Sequence, residues 1–147
     1  MRSRKGDGLW YNENNELHRL DGPAVERLTG RREWWVNGKL HRIGAPAVER
    51  ANGDLLWYEN GLLHRTDGPA AIFPNGDREW FQHDKRHRVD GPAVDLANGY
   101  QEWWQHELLH RLDGPAVIGP DDHREWWVNG VRLPDNPTQE DILGALL

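Results

Sequence analysis

The chain has 147 residues, with 24 Asp or Glu against 18 Lys or Arg, for a net charge of −6. That length suits one domain with a modest core, and the acidic balance argues against a nucleic-acid backbone or an anionic membrane as the main partner. There is no cysteine, so disulfides and thiol chemistry are excluded, and no apolar run approaches the roughly 20 residues needed to span a bilayer.

Residues 1–8 are polar and basic with no apolar stretch behind them, so they read as a disordered tail and not as a signal peptide. The expected location is cytoplasmic. From residue 9 the chain repeats itself. The dipeptide His-Arg begins at His18, His41, His64, His87 and His110, always 23 residues apart. A fixed period of that size marks an array of one supersecondary unit, none of which buries its apolar face alone.

Each unit carries an aromatic pair: Trp10-Tyr11, Trp34-Trp35, Trp57-Tyr58, Trp80-Phe81, Trp103-Trp104 and Trp126-Trp127. Neighbouring side chains of a strand point to opposite faces, so stacked units place the pairs in two aromatic columns. The all-tryptophan column, Trp34, Trp57, Trp80, Trp103 and Trp126, is expected to fill the spine with Val25, Val48, Val94 and Val117. The mixed column, Tyr11, Trp35, Tyr58, Phe81, Trp104 and Trp127, then shares the other face with Leu17, Leu40, Leu63 and Leu109.

Asn37-Gly38, Asn60-Gly61 and Asn129-Gly130 follow the pairs and predict two-residue type I′ turns, because both residues tolerate positive φ. With Asn37 and Gly38 as the loop, Val36 faces Lys39, Trp35 faces Leu40, Trp34 faces His41 and Glu33 faces Arg42; the last pairing recurs as Glu79 with Arg88 and Glu102 with Arg111. At two turns the signal is replaced, by His83-Asp84 and His106-Glu107. A second turn has Gly30, Gly53, Gly76 and Gly99 at one register position. Asp-Gly-Pro, at residues 21–23, 67–69, 90–92 and 113–115, adds a bend that is either a third turn or a bulge.

The array stops where Leu133-Pro134 replace His-Arg. Residues 135–147 read as a capping helix, with Asn136 as N-cap, Pro137 at the first helical position, Gln139 completing a capping box, and Ile142, Leu143, Leu146 and Leu147 on its apolar face. The fold class is therefore all-β: an elongated antiparallel hairpin array of about five or six units over residues 9–134, with a short C-terminal helix. A homodimer through that helix or through the sheet edge is the alternative use of these elements.

The stretch Trp35-Val36-Asn37-Gly38-Lys39-Leu40-His41, with Asn52-Gly53-Asp54 further on, resembles the 23-residue MORN repeat, and the match recurs from Trp10 to Leu133. After each histidine stands Arg followed, in four of five copies, by x-Asp-Gly-Pro, where the usual repeat has Gly-x-Gly. That looks like a variant branch of bacterial and viral proteins, some of which carry antitoxin labels. The resemblance implies a single-layer, twisted antiparallel sheet and a role in protein interaction. Lipid binding is proposed for some members, and the altered segment after the histidine sets this chain apart from them.

Several residue columns invite chemistry. Histidines one unit apart are separated by roughly 10–14 Å, too far to share a metal ion, and are read as structural imidazoles packed on tryptophan. The aspartates of Asp-Gly-Pro (Asp21, Asp67, Asp90, Asp113) are read as Asx-type turn residues. The chain has no phosphate loop and no nucleophile elbow, and its one serine is Ser3. The sequence thus predicts no enzyme, no cofactor and no metal. It predicts a module that binds another protein, with an inhibitor, immunity or antitoxin role by analogy with the variant branch. The expected contact residues are the mixed column and the substituted turns His83, Asp84, His106 and Glu107. A carbohydrate-binding module using the mixed column is the second reading, and a hydrolase the third.

Overall fold

The computed structural model describes residues 2–4, as backbone, and 6–147. Within them the chain is an all-β hairpin array with one short helix. Twelve short strands form one long antiparallel sheet in chain order: Arg2–Arg4, Asp7–Leu9, Val25–Glu26, Arg32–Glu33, Val48–Glu49, Leu55–Leu56, Ala71–Ile72, Arg78–Glu79, Val94–Asp95, Gln101–Glu102, Val117–Ile118 and Arg124–Glu125. Each unit thus supplies two strands to this sheet. The strands Arg2–Arg4 and Asp7–Leu9 lie in the stretch read from sequence as a tail. Asp7 anchors it by accepting bonds from the Leu28 N–H at 2.9 Å and from Arg27 at 3.0 Å.

A second set of strands forms a row of separate hairpins, such as Trp35–Val36 with Lys39–Leu40 and Tyr58–Glu59 with Leu62–Leu63. Their turns are as the sequence predicts. Asn37, Asn60 and Asn129 hold φ near +50° and are followed by glycine at positive φ. His83-Asp84 and His106-Glu107 keep the same left-handed geometry without glycine, at φ 49° and 64°, and 50° and 65°. Successive hairpins are tied together by backbone bonds, including Gly38 N–H to Leu17 C=O (3.0 Å) and Arg42 N–H to Tyr58 C=O (3.1 Å).

The hairpins are only two residues deep because the chain turns a corner at the first tryptophan of each pair. Trp34 donates its N–H to Ala47 C=O of the next unit (2.8 Å), and its carbonyl accepts from His41 N–H (3.0 Å). The pairings Trp35 with Leu40 and Val36 with Lys39 are present. The expected pairing of Glu33 with Arg42 is not: beyond the corner Glu33 belongs to the long sheet and lies opposite Val25 and Val48. The same corner undoes Glu79 with Arg88 and Glu102 with Arg111.

The corner also decides what fits in the core. Ala24, Ala47, Ala70, Ala93 and Ala116, whose carbonyls accept the tryptophan N–H at each corner, are fully buried. Beside them sit Val25, Val48, Ala71, Val94 and Val117, and the hairpin side chains Leu40, Tyr58 and Leu63 pack against Val48, Leu56 and Ala71. Tyr58 of the mixed column therefore packs on the core, while both aromatic columns are half-buried along their length, so the all-tryptophan column is not the sole filler of the spine. The resemblance implied one layer; instead the hairpin row packs back on the long sheet and shares its apolar surface.

The helix spans Gln139–Leu146. Its N-cap is Thr138, not Asn136: Thr138 Oγ1 accepts from Asp141 N–H (3.2 Å), and Asp141 accepts from Thr138 N–H (2.8 Å). Asn136 stands outside the helix at φ +55°, so Pro137 precedes the cap and Asp141, not Gln139, closes the capping box. The helix contacts the Trp127–Val128 strand and buries none of its own residues.

Candidate binding surfaces

Two repeated surfaces emerge, one made by the Arg-x-Asp-Gly-Pro loops and one by the hairpin tips. On the loop side the arginine of each His-Arg lies over the first tryptophan of its own unit. The guanidinium carbon is 4.1 Å from the ring centre for Arg19 on Trp10, and 3.7 Å for Arg42 on Trp34. Arg65 on Trp57, Arg88 on Trp80 and Arg111 on Trp103 repeat the stack at 4.1, 3.9 and 4.0 Å.

The loop then wraps around that arginine. Arg88 Nε donates to Asp90 (3.0 Å) and its Nη1 to the carbonyl of Pro92 (3.1 Å). Arg19, Arg65 and Arg111 make the same two bonds. The aspartates thus serve mainly as arginine clamps, not as the Asx-turn residues the sequence suggested. Those bonds hold the carboxyls of Asp21, Asp67, Asp90 and Asp113 below the usual carboxylate range. The glycine leaves room for the guanidinium: a Cβ on Gly91 would lie 2.7 Å from Arg88 Cζ, so the arginine would have to give way. In the second copy, where Gly44 and Ala45 displace the motif, Arg42 keeps the bond to the Pro46 carbonyl and turns to Glu49 instead of an aspartate. The Asp-Gly-Pro step is therefore a loop outside the ladder and not a strand bulge.

The histidine column has a different task from the one expected. It is arginine, not imidazole, that stacks on tryptophan. Each histidine Nδ1 instead accepts the backbone N–H of the turn in the next unit, from His18 to Asn37 (3.1 Å) through His110 to Asn129 (3.1 Å). His41, His64 and His87 do the same for Asn60, His83 and His106. Five imidazoles thus staple unit to unit. The signal was in the sequence as a constant separation of 19 residues between each histidine and the following turn, but it has meaning only once the units are stacked.

The mixed column is half-buried along its length. The indole N–H of Trp35, Trp104 and Trp127 donates to Glu33, Glu102 and Glu125 at 2.7–2.8 Å. These carboxylates point inward among the valines, and Glu33 is buried. Where the aromatic is Tyr58, which has no indole N–H, the position two before it is Leu56; where it is Phe81, Glu79 bonds Arg86 instead. Tyr100 donates to Glu102, and its hydroxyl is pushed up to about 12, by burial first and by that carboxylate second.

At the hairpin tips His83, Asp84, His106 and Glu107 are exposed and neighbouring. His83 lies against His64 with ring centres 4.2 Å apart, and His106 against His87 at 5.1 Å. Asp84 accepts from Leu63 N–H (2.6 Å) and Glu107 pairs with Lys85 (2.9 Å). Burial and the neighbouring His106 hold the His87 imidazole below its usual value. The structure therefore brings the substituted tips together with the histidine column, and Asp84 also lies close enough to Tyr58 of the mixed column that its charge adds to burial in raising that hydroxyl.

These features define a β-hairpin array with two repeated side-chain systems, and no helix long and apolar enough to cross a membrane among the described residues. No protein-family model matches the chain, and no curated protein is similar to it.

Proposed function

We propose that this chain is a non-catalytic protein-binding module of the MORN type, acting in the cytoplasm. One observation carries the reading: the units repeat one chemistry, and the turns that break the repeat, His83-Asp84 and His106-Glu107, are exposed. The arginines, histidines and clamping aspartates are each committed to holding the array, so no unit collects a distinct nucleophile, acid and base. The substituted tips His83-Asp84 and His106-Glu107 keep a costly left-handed backbone without glycine, which makes their side chains the candidates for specificity. An inhibitor or immunity role suits an acidic array of this size. A sugar-stacking platform would need the mixed column open to solvent, and those rings are half-buried.

The test is capture of a cross-linked partner by the full chain, compared with a variant carrying Asn-Gly at both substituted tips. One stoichiometric partner, held at least about tenfold more weakly by the variant, is expected. No partner under any growth condition tried, with a folded bait, would overturn the reading.

A further inference from the structure

The loop face carries a stripe that the array does not need. The residue after the arginine is open in every unit and aliphatic in four of five: Leu20 is 80% exposed, Ile43 69%, Val89 74% and Leu112 50%, with an exposed Thr66 in the third. Beside it stands a carboxylate that is 81–86% exposed in Asp21, Asp67, Asp90 and Asp113, although one oxygen holds the arginine. Between the first and second, third and fourth, and fourth and fifth loops runs a cleft with a tryptophan in its wall. One holds about 510 Å³ beside Trp34, one about 620 Å³ beside Trp80 and one about 600 Å³ beside Trp103.

The spacing of these clefts selects a partner. Each unit contributes two strands to the long sheet, so the clefts recur about every 9.6 Å. A polyproline II helix has three residues per turn and advances roughly 9.3 Å per turn, so it presents one side chain to each successive cleft. A β-strand, whose side chains alternate, meets such a series with opposite faces in turn. Aromatic walls suit the rigid, low-entropy rings of proline, and an acidic rim suits basic residues between them. Pro137 and Ile142 border the last cleft together with Trp126, Leu112 and Asp113, so a proline already forms part of this face.

We propose that the loop face binds a basic, proline-rich segment of another protein in the polyproline II conformation, one turn per unit. This rests on the protein-binding reading and names the face and the partner chemistry. In four loops the clamping arginine side chain is only 22–24% exposed and its aspartate 81–86%, so the carboxylate and not the guanidinium faces the ligand.

The probe is a synthetic peptide of four Pro-Pro-Arg triplets, titrated into the full chain while following tryptophan emission. Peptides of Pro-Pro-Glu and Gly-Gly-Arg triplets separate charge from conformation. The expected result is saturable binding of the first peptide, at least about tenfold weaker binding of both controls, and a similar loss in the variant L20S/I43S/V89S/L112S, with its folding checked by an unchanged denaturation midpoint. Equal binding of the Gly-Gly-Arg peptide, or undiminished binding by the serine variant, would overturn the proposal, the first pointing to plain charge attraction. A captured partner retained in full by the serine variant would also overturn it while leaving the protein-binding reading standing, whereas an empty capture would remove that reading.

Discussion

The two sides of each unit are locked by different forces. On the loop side a side chain does the work: Arg88 lies on Trp80 and carries Asp90 and the Pro92 carbonyl with it. On the hairpin side the backbone does it: turn residues at positive φ present their N–H groups to a histidine and a carbonyl of the preceding unit. Side-chain locking fixes Arg, Asp, Gly and Pro but leaves the residue between Arg and Asp free to vary as Leu, Ile, Thr, Val and Leu. Backbone locking fixes a conformation and leaves the turn's side chains free, which is how His83-Asp84 can replace Asn-Gly. Both sides hence offer variable positions on a fixed frame, but of different character, aliphatic on one and titratable on the other.

Gly91→Ala tests the loop side most severely. Its methyl group meets the Arg88 guanidinium, so the arginine must leave Trp80 or the loop must shift. The expected cost is about 1–3 kcal/mol in chemical denaturation. A neutral result would show that the stack is not what holds the loop.

Acidification separates the two sides. Neutral His87 accepts a bond from the His106 N–H, and its folded value lies below the ordinary 6.5. The unfolded chain therefore takes up this proton more readily than the folded one. The stability His87 contributes is complete above about pH 6.5 and is lost as pH falls through its lowered folded value. The clamping aspartates are shifted down from 3.8 and stay charged over that window. Hydrogen exchange, corrected for intrinsic rate, should show protection at His106 falling between pH 7.5 and 5 while the loop side holds. Equal loss on both sides would remove the distinction.

The smallest effect is expected at the tips. Glu107→Gly relieves a left-handed residue and gives up one exposed ion pair with Lys85, for a net gain of about 0.5–1 kcal/mol, read as a higher denaturation midpoint. A loss of stability would mean that Glu107 contributes more than that pair.

The sequence alone determined what one period can encode: the 23-residue unit, the Asn-Gly hairpins, the pairing of Trp35 with Leu40, the all-β class and a terminal helix within residues 135–147. These are local, set by φ preference and by the alternation of neighbouring side chains. How each aromatic packs was decided by the tertiary structure, because it depends on the corner at Trp34, whose N–H seeks a carbonyl one unit away. A hint was present in Glu33 two before Trp35 and Leu56 two before Tyr58, but a buried carboxylate beside an indole makes sense only with the partner in view. The histidine staples and the loop clefts likewise lie between units. No single repeat contains them, since stacking brings residues 19 to 23 apart in sequence into contact.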